Sequence, residues 1–254
     1  MKKHRLINYD SIEWLKSHPG EKIDCIFADP PDGIGLGYNE FNDKTSDAEY
    51  RSFLVELLIV CTLRAPIVWF SFNARWTIPF GAIVDTFVKH NPEWEAKPCV
   101  QVFTFGQHRS TDLGNNHRPL WRLKRKDAPL YPDQIKVPSW RQRNGDKRAA
   151  AGGRVPGDVF DMQYPEPGDV FDFPRVTGNS KQRCDWHPTQ LHEELVMRAV
   201  MLSTKEGDHV LDPFGGTGTT LRVCKQIGRR CTLVEMDATY CERIREQNPE
   251  VAEQ

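Results

Sequence analysis

The chain of 254 residues has no apolar run near the roughly 18 residues a membrane-spanning helix needs, and its longest stretch, 53–60, is broken by Glu56. The basic start, Met1 to Arg5, leads into Asn8, Tyr9 and Asp10 with no small-residue cleavage site, so it reads poorly as a secretory signal and a cytoplasmic location is expected. No C-x-x-C pair occurs among the seven cysteines (Cys25, Cys61, Cys99, Cys184, Cys224, Cys231 and Cys241), which argues against a zinc site and a disulfide framework. Reduced thiols and no metal are expected. Net charge is also nearly missing, at −1 from 34 basic and 35 acidic residues. With 39% apolar and 27% charged residues, the composition suits a soluble globular chain, one large domain or one domain with a smaller insert.

The near-zero net charge hides an asymmetry. Positions 101–150 hold eleven basic residues, Arg109, Arg118, Arg122, Lys124, Arg125, Lys126, Lys136, Arg141, Arg143, Lys147 and Arg148, against four aspartates. Trp121, Tyr131 and Trp140 are interleaved with them, a mixture able to neutralise phosphates and stack on bases. A solvated basic loop explains the same letters, and charge alone leaves the choice open.

Hydrophobic patterning gives α/β architecture with a parallel sheet. Strands are expected at 5–8, 23–28, 67–72, 100–105, 209–211 and 231–235, and helices at 12–15, 48–63, 191–202 and 219–227. From about 105 to 180, Gly, Pro and polar residues dominate and periodicity fades, predicting an insert with few regular elements. Within it Pro-Gly-Asp-Val-Phe-Asp occurs at 156–161 and again at 167–172, too few copies for a solenoid.

Two loops carry chemistry. Asp29-Pro30-Pro31-Asp32 ends the strand 23–28, where ligands of open parallel sheets bind. The prolines fix φ and offer carbonyls without competing donors, so Asp29 and the Pro30 carbonyl could accept both hydrogens of an exocyclic amino group. A plain tight turn, signalled by Pro-Asp-Gly, is the alternative. The second loop, residues 212–220, puts Gly215, Gly216 and Gly218 ahead of a helix N-terminus, which allows close backbone approach to a ligand. Nineteen residues after Gly216, Glu235 ends the next strand, where an acid can hold a ribose diol. A nicotinamide enzyme would follow similar logic, although the G-x-G-x-x-G spacing is not kept.

Together these loops resemble the amino-methylating DNA methyltransferases that use S-adenosylmethionine, with their D/N/S-P-P-Y/F/W and D-P-F-x-G-x-G-T motifs. The motif order, catalytic first, is that of the beta class. The resemblance implies a circularly permuted, Rossmann-like methyltransferase sheet: a catalytic half at 1–105, a basic target-recognition insert at 106–177 and a cofactor-binding half at 178–254. It implies catalytic roles for Asp29, Pro30, Pro31 and Asp32. Asp212, Phe214, Gly215, Gly216, Gly218, Thr219, Thr220 and Glu235 would bind the cofactor. Asp10 would face its adenine, or cap the helix at 12–15, or both; Thr189 and Gln190 would close the pocket, with a cap at Thr189 explaining the same letters. His187 reads as structural. Of the basic insert, Arg109, Arg118, Arg122, Lys124, Arg125, Lys126, Arg141 and Arg143 would contact DNA. Homodimers and a companion restriction enzyme are compatible with the family, and no residue marks either.

One position departs from the pattern: Asp32 stands where the family usually has an aromatic residue that stacks on the extruded base. Tyr38 is the favoured substitute platform, ahead of Phe41, Trp69 and Phe70. Asp32 either serves the turn and points to water, or raises the pKa of a neighbouring carboxyl by repulsion. The expected reaction is methyl transfer to adenine N6 in DNA after base flipping, Asp being commoner than Ser for adenine at the first motif position. Cytosine N4, RNA and a cofactor-binding protein with weak catalysis are the alternatives. Carbon-5 methylation would need a cysteine nucleophile, and Cys99 reads as a core thiol.

Overall fold

A computed structural model describes residues 4–18, 20–39, 43–103, 110–149, 151–160, 176 and 180–253. Strands β1 (His4–Asn8), β2 (Cys25–Ala28), β3 (Ile67–Ser71), β4 (Trp94–Val102), β5 (His117–Arg125), β6 (Val159–Phe160), β7 (His209–Asp212), β8 (Arg230–Glu235) and β9 (Ala252–Glu253) form one sheet. Its order is β6-β4-β5-β3-β2-β7-β8-β1-β9. Helices α1 (Ser11–Ser17), α2 (Asp47–Arg64), α3 (Thr77–His90), α4 (Trp140–Arg143), α5 (Glu193–Ser203), α6 (Thr219–Gln226) and α7 (Ala238–Gln247), with 3-10 turns at Ala74–Trp76 and Pro132–Ile135, complete the described elements.

The centre follows from its letters. Strands β2 and β3 are buried at every residue, as continuous apolar runs must be in a parallel sheet covered on both faces. Alternation then sorts the side chains. Ile26, Ala28, Val68 and Phe70 pack with Trp14, Leu54 and Phe80 of α1, α2 and α3, whereas Cys25, Phe27, Ile67 and Trp69 pack with Val196, Val223 and Cys241 of α5, α6 and α7. Each such large side chain contributes about 1.5–3 kcal/mol by leaving water. Cys99 lies in the second cluster as a buried core thiol.

The two ends of the chain meet at the middle of this sheet. Cys25 and Ile26 of β2 pair with Val210 and Leu211 of β7, and β1 pairs along its length with β8, all parallel. The strand ends after β2, β7 and β8 therefore open on one edge. Both chemistry-bearing loops emerge there.

Three local differences from the pattern-based reading stand out. Helices α3 and α7 were not evident, although Asp237 caps α7 by accepting from the Tyr240 amide at 3.0 Å. His192, not Thr189, caps α5. The insert is more regular than its composition implied, because β5 runs antiparallel between β3 and β4. This inversion brings the first residues of β5 to the edge where β2 and β3 end.

Burial in β5 also corrects part of the expected DNA surface. Arg122 is buried with its guanidinium over the Trp69 ring, 5.9 Å from the centroid. Lys124 is buried and donates to the carbonyls of Arg125, Lys126 and Ala128 at 2.8, 3.2 and 3.1 Å. Neither side chain is exposed. Arg125, Lys126 and Arg141 are exposed, Arg125 pairing with Asp127, and Arg143 is half-buried. Arg109, Phe41 and the second hexapeptide copy lie outside the described residues. Lys124→Met should lower the urea-unfolding free energy by about 1–3 kcal/mol, the cost of buried carbonyls left without a donor, and leave DNA affinity and its salt dependence unchanged. Weakened DNA binding at unaltered stability would return Lys124 to the interface.

Candidate active site

A crevice along this edge is lined from both chain halves by Asp10, Asp29, Pro30, Pro31, Asp32, Tyr38, Thr189, Gln190, Asp212, Phe214, Gly215, Gly216, Thr219, Thr220 and Glu235. Gly218 does not line it. That glycine sits at φ +76°, in the left-handed region, and starts α6 without a side-chain cap, leaving the first amides of the helix open.

The loop after β7 is tied down at every turn. Asp212 accepts from the Phe214 amide at 2.9 Å and from the Thr220 hydroxyl at 2.6 Å. Glu235 accepts from the Gly216 amide at 2.7 Å and the Asp237 amide at 2.9 Å. Arg222 staples the loop from α6, donating to the Thr217 carbonyl at 2.6 Å and to Glu193 at 2.5 Å. The Ser11 hydroxyl donates to the Pro213 carbonyl, joining the front of the chain to the back. At Gly215 an added Cβ would lie 3.2 Å from Glu235 Cβ, so a side chain there would push the loop and the acid apart by a few tenths of an ångström.

Burial dominates the electrostatics here. It pushes the Asp212 carboxyl up to about 8, with Thr220 and the Phe214 amide pulling the other way, and it also raises Glu235. His187 is shifted down by burial, pairs through Nδ1 with the Thr189 carbonyl, and packs against Tyr240 with ring centroids 4.7 Å apart. Asp10 caps α1 by accepting from the Glu13 amide at 2.9 Å while still lining the crevice, so its two readings coexist. Gln190 accepts from the Cys184 amide and donates to the Gln182 carbonyl, at 2.9 and 2.6 Å, which fixes the segment before α5.

The loop after β2 departs most from expectation. Gly33, at φ +64°, makes the turn, and a Cβ there would clash with the Tyr50 ring at 2.5 Å. Yet Asp32 is buried instead of pointing to water. Its carboxylate and that of Asp29 converge on Arg118 at the start of β5. Arg118 was expected on the DNA surface and is corrected to the crevice. The Asp29 carboxyl is raised chiefly by burial, Arg118 opposes that, and repulsion from Asp32 comes third. Behind the turn, buried Asp43 accepts from the amides of Gly33, Ile34 and Leu36 at 2.7, 3.1 and 3.1 Å. Trp69 and Phe70 are core residues, unavailable as base platforms, whereas Tyr38 faces His187 edge-on at 5.7 Å in the crevice. Asp43, Arg222 and Ser11 were missed as site residues, and Arg118 was read as a DNA contact without its place in the crevice. Only Arg118 had a usable signal, the two-residue alternation of Pro119, Trp121 and Leu123 that marks a strand.

A second cavity of about 270 Å³ adjoins the crevice on the side of β4 and β5 and shares Asp29, Asp32 and Arg118 with it. Asn73, Gln101, Asn115 and His117 supply its polar lining.

Comparison with known proteins follows the same lines. The family model described as DNA methylase matches residues 23–246. The chain is 29% identical over 241 residues to DNA adenine methyltransferase YhdJ of Escherichia coli (strain K12), covering 92% of this chain and 79% of the relative. It is 46% identical over 255 residues to type II methyltransferase M2.DpnII of Streptococcus pneumoniae, covering 95% and 88%. Among solved structures, PvuII DNA methyltransferase (cytosine-N4-specific) superposes with a TM-score of 0.68 at 15% identity, over 96% of this chain and 87% of that one. The M1.HpyAVI–SAM complex gives 0.59 at 18%, over 96% and 99%. At these identities the structures speak for the fold alone.

The raised Asp212 has a thermodynamic consequence. A carboxyl near 3.9 when unfolded and about 8 when folded keeps its proton in the folded state across that window, so stability falls as pH rises through it. In thermal melts of the ligand-free protein, Asp212→Asn should gain on the parent at pH 8.5 relative to pH 5.5. An equal difference at both pH values would contradict the burial argument.

Proposed function

The chain belongs to the DNA methylase family, and from that premise we propose that it methylates adenine N6 in DNA, at a specific sequence and on an extruded base. It is an S-adenosylmethionine-dependent DNA methyltransferase of the beta class. The preference for adenine is supported by the likeness to an adenine methyltransferase and by Asp29 at the first position of the motif. Cytosine N4 is the second reading, since the same fold and the same family carry it. The type II designation of relatives supports a place beside a restriction enzyme, and a DNA substrate supports a cytoplasmic enzyme. No helix among the described residues is long and apolar enough to cross a membrane.

The single observation that carries the reading is that Asp29 and Pro30 line the same crevice as the glycine loop and Glu235. The residues fit the cofactor: a glycine cradle that a Cβ would fill, a carboxylate at Glu235 suited to two ribose hydroxyls, and a buried acid at Asp212 that a cationic ammonium group beside it would ionise. Phe214, Gly215, Gly216 and Glu235 would hold it, with Asp10, Asp212, Thr189, Gln190, Thr219 and Thr220 around them. S-adenosylmethionine supplies an electrophilic methyl group on a sulfonium sulfur.

The rest falls to the protein. Asp29 and the Pro30 carbonyl accept one hydrogen bond each from the two N–H groups of the amino nitrogen, which draws the nitrogen toward tetrahedral geometry and aims its lone pair. The departing proton goes to Asp29 or to water. Catalysis of this kind is positioning and electrostatics, with no covalent adduct to the enzyme. The second cavity, on the other side of Asp29, offers the extruded base its room, and phosphate contacts from exposed cations such as Lys126 and Arg141 offset the few kcal/mol that unstacking costs.

Mass spectrometry of nucleosides, digested from mixed-sequence DNA after incubation with S-adenosylmethionine, should show N6-methyladenine with the parent protein and none with Asp29→Ala, which retains cofactor binding. N4-methylcytosine would replace the base and keep the mechanism. Full activity in Asp29→Ala would remove the mechanism as well.

A further inference from the structure

The Asp29 carboxylate is not left to orient itself. Arg118 donates from Nη2 to Asp29 Oδ1 at 2.6 Å, and the same nitrogen lies 2.9 Å from Asp32 Oδ1. Nη1 donates to Asp32 Oδ2 at 3.2 Å, and Nε donates to Ser71 Oγ at 2.7 Å. A planar guanidinium gripped by three side chains from β3 and the loop after β2 has one orientation left. The loop is fixed in turn. Tyr50 donates its hydroxyl to the Pro31 carbonyl at 2.5 Å, Trp76 donates Nε1–H to the Asp32 carbonyl at 2.7 Å, and the two prolines between the aspartates hold φ.

Charge points the same way. Arg118 is the one Arg or Lys among the described residues lining either cavity. Two carboxylates and one guanidinium sum to a single negative charge, that of one motif aspartate beside a neutral residue. Asp32 without Arg118 would leave two buried carboxylates in repulsion; Arg118 without Asp32 would pull on Asp29 alone.

We propose that Asp32 and Arg118 act as a positioning pair for methyl transfer: Arg118 engages Asp29 Oδ1 so that the remaining oxygen serves the target amino group, and Asp32 holds Arg118 in place. This assignment rests on Asp29 being the acceptor of that amino group. It gives Asp32 a task that neither turn formation nor base stacking describes.

The groups facing Asp29 set the test. Arg118 lies on β5, Asp32 on the loop after β2, Asp212 at the end of β7, Tyr38 and His187 across the crevice, Tyr50 on α2 and His117 in the second cavity, while Asp43 is turned to the amides behind the loop. Arg118 pulls the Asp29 carboxyl down and Asp32 pushes it up. Since the carboxylate form accepts the hydrogen bond, the acidic limb of the pH–rate profile follows Asp29. Removing Arg118 must move that limb up, and removing the Asp32 charge must move it down.

The experiment is the pH profile of kcat/KM for DNA with the parent and Asp29→Asn, Arg118→Gln, Arg118→Lys and Asp32→Asn variants, with calorimetric S-adenosylmethionine affinity reporting that each is folded. Arg118→Gln should shift the limb up by about one pH unit and Asp32→Asn should shift it down. Both should lose kcat by about 10- to 100-fold with cofactor affinity within about twofold of the parent. Arg118→Lys, keeping the charge and losing the fork, should restore the limb without restoring kcat. If Asp29→Asn is inactive while the Arg118→Gln and Asp32→Asn limbs stay in place or move together, the pair is overturned and the acceptor reading of Asp29 survives. If Asp29→Asn keeps the parent rate, the acceptor reading itself falls, and the pair with it.

Discussion

Six acidic side chains, Asp10, Asp29, Asp32, Asp212, Glu235 and Asp237, line one crevice at the edge of the sheet, and among the described residues Arg118 is its only guanidinium. Most of the site can be understood as the management of that excess. Asp212 and Glu235 are met by backbone amides and a threonine hydroxyl, Asp10 and Asp237 by the amides of the helices they cap, and Asp29 and Asp32 by the one arginine. A crevice so arranged favours a cationic ligand, and S-adenosylmethionine carries its reactive methyl on a cationic sulfur. The same arrangement leaves Asp29 able to accept hydrogen bonds beside it.

Topology makes the convergence possible. A parallel centre brings the carboxyl ends of β2, β7 and β8 together, although β2 lies near the front of the chain and β7 and β8 near its end. The antiparallel β5 adds what a purely parallel sheet could not, the amino end of a strand at the same edge. Arg118 occupies that end, opposite Gln101 of β4.

Much of this was legible in the letters. The buried strands 25–28 and 67–71 announce themselves as nearly continuous apolar runs, and the two loops as prolines and glycines at strand ends, because both signals are local. What stayed hidden is long-range. Arg118 meets Asp29 and Asp32 across 89 and 86 positions, a partnership no spacing displays. Arg122 and Lys124 read as surface cations because strand charges usually face water, yet on β5 they alternate with Trp121 and Leu123 and are buried beneath their neighbours. The Pro-Asp-Gly turn after Pro30 was readable. Where the Asp32 carboxylate goes was not, since it depends on a strand from another part of the chain.

A crystal structure of the chain with S-adenosylmethionine tests the account most directly. It should place the cofactor against Phe214, Gly216 and Glu235, with the Arg118 guanidinium still bridging Asp29 and Asp32. Cofactor bound away from that loop, or Arg118 released from both aspartates, would contradict it.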